Sequence, residues 1–99
     1  MAEIIWSQEA EEDLQAIRKY IARDNPTVAD RTIHDLVGSA KRLRDFPMSG
    51  RALEELEQEG VREIIVPPYH VAYHVSGDSV EILKVWHGKR MPGPEEFRA

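Results

Sequence analysis

Cysteine is absent from the 99 residues, which excludes a disulfide framework and a thiolate zinc site. The same absence fits a reducing compartment, and a cytoplasmic location is the expectation. No apolar run approaches the roughly 20 residues that a transmembrane helix needs. The opening Met1-Ala2-Glu3-Ile4-Ile5-Trp6 lacks the basic stretch and long apolar run of an export signal, so no membrane role is expected. Positive charge is scarce: 13 Lys and Arg stand against 18 Asp and Glu, a net charge of −5. That argues against a protein that grips nucleic acid by charge alone. Phosphate loops, dinucleotide fingerprints and nucleophile elbows are also missing, as are repeats and low-complexity segments.

What is present favours folding. Hydrophobic residues make up 41% and charged residues 31%, within the range of globular domains. One domain spanning residues 1–99 is the expected organisation. A core of that size leaves a modest stability margin, so a bound partner would matter to it. The charge is uneven: residues 1–60 hold 8 Lys and Arg against 13 Asp and Glu, whereas residues 61–99 hold 5 of each. The acidic surplus lies entirely in the first part, and the stretch after Trp86 is locally basic until Glu95.

In chain order, Glu3 to Trp6 is a short strand candidate. Ser7 suits a helix N-cap, and Glu9, Glu11, Glu12 and Asp13 put negative charge where the helix dipole favours it. Ala10, Leu14, Ile17 and Ile21 then recur at helical spacing, and Asp24-Asn25-Pro26 stops the helix. Asn25 can cap a second helix with Pro26 at its first position. Ala29, Ile33, Leu36, Val37, Ala40 and Leu43 keep helical period until Phe46-Pro47. So short a link folds the two helices into an αα-hairpin. Pro47 to Gly60, with the acidic run Glu54 to Glu59, reads as a loop with at most one helical turn. Val61 to Val66, His70 to Val75 and Val80 to His87 read as strands, broken at Pro67-Pro68 and turned at Ser76-Gly77-Asp78-Ser79. Short connections make them an antiparallel meander. The expected fold is α+β, ordered β-α-α-β-β-β, with the helical hairpin on one face of a small antiparallel sheet.

Val80 to Arg90 organises the chain. Strict alternation puts Val80, Ile82, Lys84 and Trp86 on one face and Glu81, Leu83, Val85 and His87 on the other. A strand apolar on both sides wants cover on both, yet one hairpin covers one face. The uncovered face would then mark a protein partner; the alternative is a sheet that curls while the C-terminal tail closes over it.

Laid out this way, the chain resembles toxins of the ParE/RelE superfamily from bacterial toxin–antitoxin pairs. The carriers run almost the full length. They are the opening strand into Ala10-Glu11-Glu12-Asp13-Leu14, then Ile17-Arg18-Lys19-Tyr20-Ile21 and Asn25-Pro26 with Ala29. Leu43 with Phe46-Pro47, Gly50-Arg51, Val61-Arg62-Glu63, Tyr69 and Val71-Ala72-Tyr73 follow. The last is Val80-Glu81-Ile82-Leu83-Lys84-Val85-Trp86-His87-Gly88-Lys89-Arg90. The order and spacing are specific, and the ending looks more like the ParE branch than the RelE branch. The resemblance implies a cognate antitoxin, and therefore a hetero-oligomer, with Leu14, Ile17, Ile21, Val71 and Tyr73 as antitoxin-binding candidates. For the ParE branch it implies DNA gyrase as the target, bound rather than chemically changed. Trp86, His87, Lys89 and Arg90, with the tail to Ala99, are the target-binding candidates.

For the RelE branch the resemblance implies cleavage of mRNA on the ribosome, without metal. Such a site needs a base, cations at the phosphorane and an acid. Arg62, His87 and Arg90 are the candidates. Gly88 stands where some nuclease members carry a tyrosine, and a lysine-rich surface for ribosomal RNA is missing. An inactive homologue kept as an antitoxin-binding partner is a further alternative. Plainer roles exist for each residue: Arg62 paired with a carboxylate across the sheet, His87 as a hydrogen-bonded strand end, Lys89 and Arg90 as solvated charges. No metal or cofactor is expected. His70 and His74 are about 13 Å apart along one strand, His34 has no second ligand nearby, and Glu54 to Glu59 lacks calcium-loop spacing.

Overall fold

A computed structural model describes residues 1–53, 60–90 and 92–93. The acidic run Glu54 to Glu59 and the tail at Met91 and 94–99 lie outside the described residues. The chain opens with β1 (Glu3–Trp6), followed by α1 (Gln8–Ala22) and α2 (Pro26–Lys41). A 3-10 turn (Arg42–Arg44) then leads to β2 (Arg51–Ala52), β3 (Val61–Val66), β4 (Tyr69–Ser76) and β5 (Ser79–His87).

Both helices start where their caps place them. The Ser7 hydroxyl accepts from the Ala10 N–H at 3.0 Å. The Asn25 side chain accepts from the Val28 N–H at 3.1 Å, with Pro26 next in the first helical position. Each satisfies one of the orphan donors of a helix start. The hairpin lies on one face of a sheet ordered β1-β5-β4-β3-β2. Ala10, Leu36, Ala40 and Leu43 meet Val71, Tyr73, Val80, Ile82 and Val85 there to form the main core.

The fold class is the expected one, with two refinements. β3, β4 and β5 form the antiparallel meander, but β1 joins β5 in parallel, Glu3 opposite Ser79 and Trp6 opposite Ile82. The sheet is therefore mixed, and the helical hairpin serves as the connection out of its parallel edge. Second, Arg51 and Ala52, expected in a loop, pair with Glu63 and Arg62 as a two-residue edge strand.

A β-bulge overturns the strict alternation expected along β5. Tyr73 faces Ile82 while Ala72 faces Lys84, so Leu83 is an extra residue. One inserted residue reverses the facing of everything after it. Val85 thus joins Val80 and Ile82 beneath the helices, while Leu83 and Trp86 fall on the second face. That second face is not bare. Leu53, Val61, Ala72, Leu83 and Trp86 form a small core of their own, each at most 7% exposed in the lone chain. The layer count missed the return of the chain past β2, which brings Leu53 there. The need for a partner does not follow from uncovered apolar surface.

Candidate functional site

Among the described residues, no strand pairs with β5 beyond Ile82 on its β1 side, because the chain leaves β1 at Ser7 to enter α1. The first turns of α1 close this edge instead. Ser7 donates from its hydroxyl to the Leu83 carbonyl at 3.2 Å. The Asp13 carboxylate accepts the Val85 N–H at 2.9 Å. Lys84, buried despite its charge, reaches Glu9 at 3.0 Å and Asp13 at 3.5 Å. A buried ammonium survives only with such partners. Burial raises the Asp13 carboxyl above its ordinary value, against the pull of the Val85 N–H and the Lys84 charge. Sequence reasoning missed this cluster, although a lysine inside an apolar strand was its signal.

From there β5 runs to His87 and the basic turn. Trp86 is only 7% exposed. Its indole stacks on His70, with centroids 5.3 Å apart and planes 21° from parallel. The partly exposed His70 ring is in turn held at 3.3 Å by the buried Glu63 carboxylate, which also takes Arg51 at 3.1 Å. Trp86 is thus a core residue that positions its neighbours, not an outward anchor.

His87 is exposed and meets Tyr69 edge-on, with centroids 5.6 Å apart. Its Nδ1 accepts the Lys89 N–H at 3.1 Å, and its carbonyl accepts the Arg90 N–H at 2.9 Å. A neutral His87 therefore carries its proton on Nε2. The Gly88 N–H donates to the Pro68 carbonyl at 2.8 Å. The turn bearing Lys89 and Arg90 is in this way tied back to the β3–β4 connection. A Cβ at residue 88 would stand 3.0 Å from His70 Nε2 and 3.2 Å from the Pro68 oxygen. This crowding accounts for the glycine.

Arg62 sits elsewhere. Its guanidinium donates to the Gly50 carbonyl at 2.7 Å and more weakly to that of Met48 at 3.4 Å. These are backbone partners, not the cross-sheet carboxylate expected for a structural arginine. They pin the loop before β2, which the Tyr73 hydroxyl also holds. That hydroxyl donates to the Pro47 carbonyl and accepts the Gly50 N–H, both at 2.9 Å. Burial raises the Tyr73 phenol, while the Gly50 N–H and the Arg62 charge oppose the shift. Arg62 pairs with Tyr73, whereas His87 shares its rung with Tyr69 and Val66. The two are thus four residues apart along the sheet, about 13 Å, and two strands apart, about 10 Å. The three residues a nuclease would need are not gathered around one phosphate.

Of the antitoxin-binding candidates, Leu14 and Ile17 are half-buried on the sheet-facing side of α1, and Ile21 is half-buried further along it. Val71 and Tyr73 are fully buried in the main core. They cannot touch a partner in this form, because the face they share is the one that receives the helices. Among the described residues, no three His, Asp or Glu side chains come together as metal ligands. Nor is any helix among them long and apolar enough to cross a membrane. A groove of about 380 Å³ lies between the end of α2 and the β3 edge, lined by Ser39, Leu43, Gly50 and Ile64 among others, away from His87.

The family model described as the ParE toxin of the type II toxin–antitoxin system, parDE, matches residues 4–92. The chain is 36% identical to Toxin RelE2 of Caulobacter vibrioides over 92 residues, 92% of this chain and 100% of that one. It is 34% identical over 86 residues to the putative toxin Y4kP of Sinorhizobium fredii, covering 85% of each. Toxin ParE3 of C. vibrioides is 28% identical over 90 residues, 90% of this chain and 89% of that one. A solved structure titled the chromosomal ParDE TA system from P. aeruginosa superimposes with a TM-score of 0.72 at 27% identity, covering 88% of this chain and 96% of that one. With the helical hairpin, the mixed sheet and nearly the whole length matched, the chain belongs to the ParE toxin family of type II toxin–antitoxin systems.

Proposed function

We propose that this toxin arrests growth by binding DNA gyrase and that a cognate antitoxin neutralises it. The observation that carries the binding mode is the dispersal of the nuclease candidates. Arg62 is engaged with the backbone of the loop before β2, far from His87. Residue 88 is a glycine hemmed in by His70 and Pro68. What stands ready at the end of β5 is a tethered basic turn, suited to grip a surface. His87, Lys89 and Arg90 engage the target, and Trp86 supports them from beneath through His70. The antitoxin partner follows from family membership, and the similarity to a structure of a chromosomal ParDE TA system supports it. Leu14, Ile17 and Ile21 are the reachable part of the antitoxin-binding set.

Truncation after His87 separates the two roles. The shortened chain is expected to lose growth arrest on induction while still co-purifying with its antitoxin. Growth arrest that survives truncation overturns the assignment of the basic turn. Arg62→Ala, in contrast, is expected to leave arrest intact at permissive temperature. Its failure to arrest, together with loss of mRNA cleavage in a purified translation system, would favour a ribosome-dependent nuclease instead.

A further inference from the structure

The α1 helix contributes to the same end of the molecule. Asp13 meets Val85 on the β5 edge. Residues 16, 17 and 20 continue the stripe of Asp13 on a helix of 3.6 residues per turn. Seven residues at 1.5 Å each carry Tyr20 about 10 Å onward, past Val85 toward the rung of His87 and Tyr69. The electrostatics agree: burial raises the Tyr69 phenol, and the nearby Tyr20 phenol adds to the shift. Tyr20 is 73% exposed, so its ring is spent on no core contact. It lies near Tyr69, whose ring is in edge-to-face contact with His87, so the three side chains line up toward the end of β5. Lys89 and Arg90 border the row on the β5 side, and Arg23 and Asp24 follow Tyr20 on the helix side.

Resting on the reading that the end of β5 is the target-binding end, we infer that Tyr20 and Tyr69 form its aromatic half, and that together with His87 and Lys89 they seat an acidic protein surface. Charge complementarity selects the occupant: among the described residues Lys89 and Arg90 follow His87 and Gly88, and Arg23 stands with Asp24 shortly after Tyr20, on a chain whose net charge is −5. Tyr69 is partly buried against the main core, which leaves Tyr20 as the exposed ring, and tyrosines are among the usual anchors of protein interfaces, where a few such rings carry most of the binding energy. A nucleic acid, charged along its whole length, would be repelled by the acidic remainder.

Tyr20→Ala in the full chain is the direct test. The site is an exposed helix position where alanine is a better helix former, so the variant is expected to fold with unchanged or raised stability. It should lose growth arrest, bind gyrase at least about tenfold more weakly, and co-purify with antitoxin as before. Tyr20→Phe should keep most of the activity, and Tyr20→Glu should lose it. Loss of arrest with intact antitoxin binding supports the surface even if the wild-type chain fails to bind gyrase, in which case only the gyrase reading falls. Full arrest by Tyr20→Ala overturns the inference. So does loss of antitoxin binding alone, or Tyr20-dependent binding of a single-stranded oligonucleotide.

Discussion

The Tyr73 hydroxyl looks available for recognition in the sequence, yet it is taken up by the loop above it. It satisfies both the Pro47 carbonyl and the Gly50 N–H. Tyr73→Phe orphans both groups and should cost about 1–3 kcal/mol in urea unfolding, with little effect on target binding. Gly50 is fixed by the same arrangement: a Cβ there would lie 2.5 Å from the Glu63 carbonyl oxygen and 2.6 Å from the Tyr73 hydroxyl. Gly50→Ala forces one of them aside and should destabilise by about 1–3 kcal/mol. Asp13 has a pH signature. Its carboxyl is raised above 3.8, first by burial, so its contribution to stability is fully present below that value and is lost as pH rises through the higher folded one. A titration followed by NMR should place Asp13 above the exposed carboxylates. Asp13→Asn should remove that component from the pH dependence of unfolding, and a midpoint at or below 3.8 would contradict it.

At the scale of elements, what is local was legible. The two caps, the helical hairpin and the three long strands follow from neighbouring residues, since Ser7, Asn25-Pro26 and the turn at Gly77 act within a few positions. What depended on distant partners was not. The parallel pairing of β1 with β5 needs a partner some 75 residues away, and β2 is too short to show a period. The bulge at Leu83 hid because β5 is apolar on both faces, so a slip of one residue breaks no visible pattern. Only Lys84 marked it. That slip moved Trp86 into the second core and Val85 into the first. Alternation correctly grouped Val71 with Tyr73 but could not say that the helices would cover them. Trp86→Ala should accordingly cost about 3–5 kcal/mol of folding stability, read by thermal or urea unfolding. A Trp86 that acted only as a surface anchor would leave stability nearly unchanged. At the site, the order of His87, Gly88, Lys89 and Arg90 was readable, whereas Tyr69 meets His87 only through the β4–β5 pairing and Tyr20 approaches only through the direction α1 takes along the β5 edge.

For the whole molecule, the proposal is that a basic, aromatic end on an acidic fold inhibits by occupying a protein, without breaking a bond in RNA. The element count that suggests a partner does not carry this, because Leu53, Val61, Ala72, Leu83 and Trp86 on the second sheet face are already buried in the lone chain. Family membership supports the antitoxin partner, and the geometry at the end of β5 supports the proposed binding mode. The most direct measurement adds the purified chain to DNA gyrase with relaxed plasmid and ATP, and in parallel to ribosomes translating a defined mRNA. Supercoiling should cease and resume when antitoxin is added, with the mRNA left whole. Supercoiling that continues while ribosome-bound mRNA is cut would contradict the account.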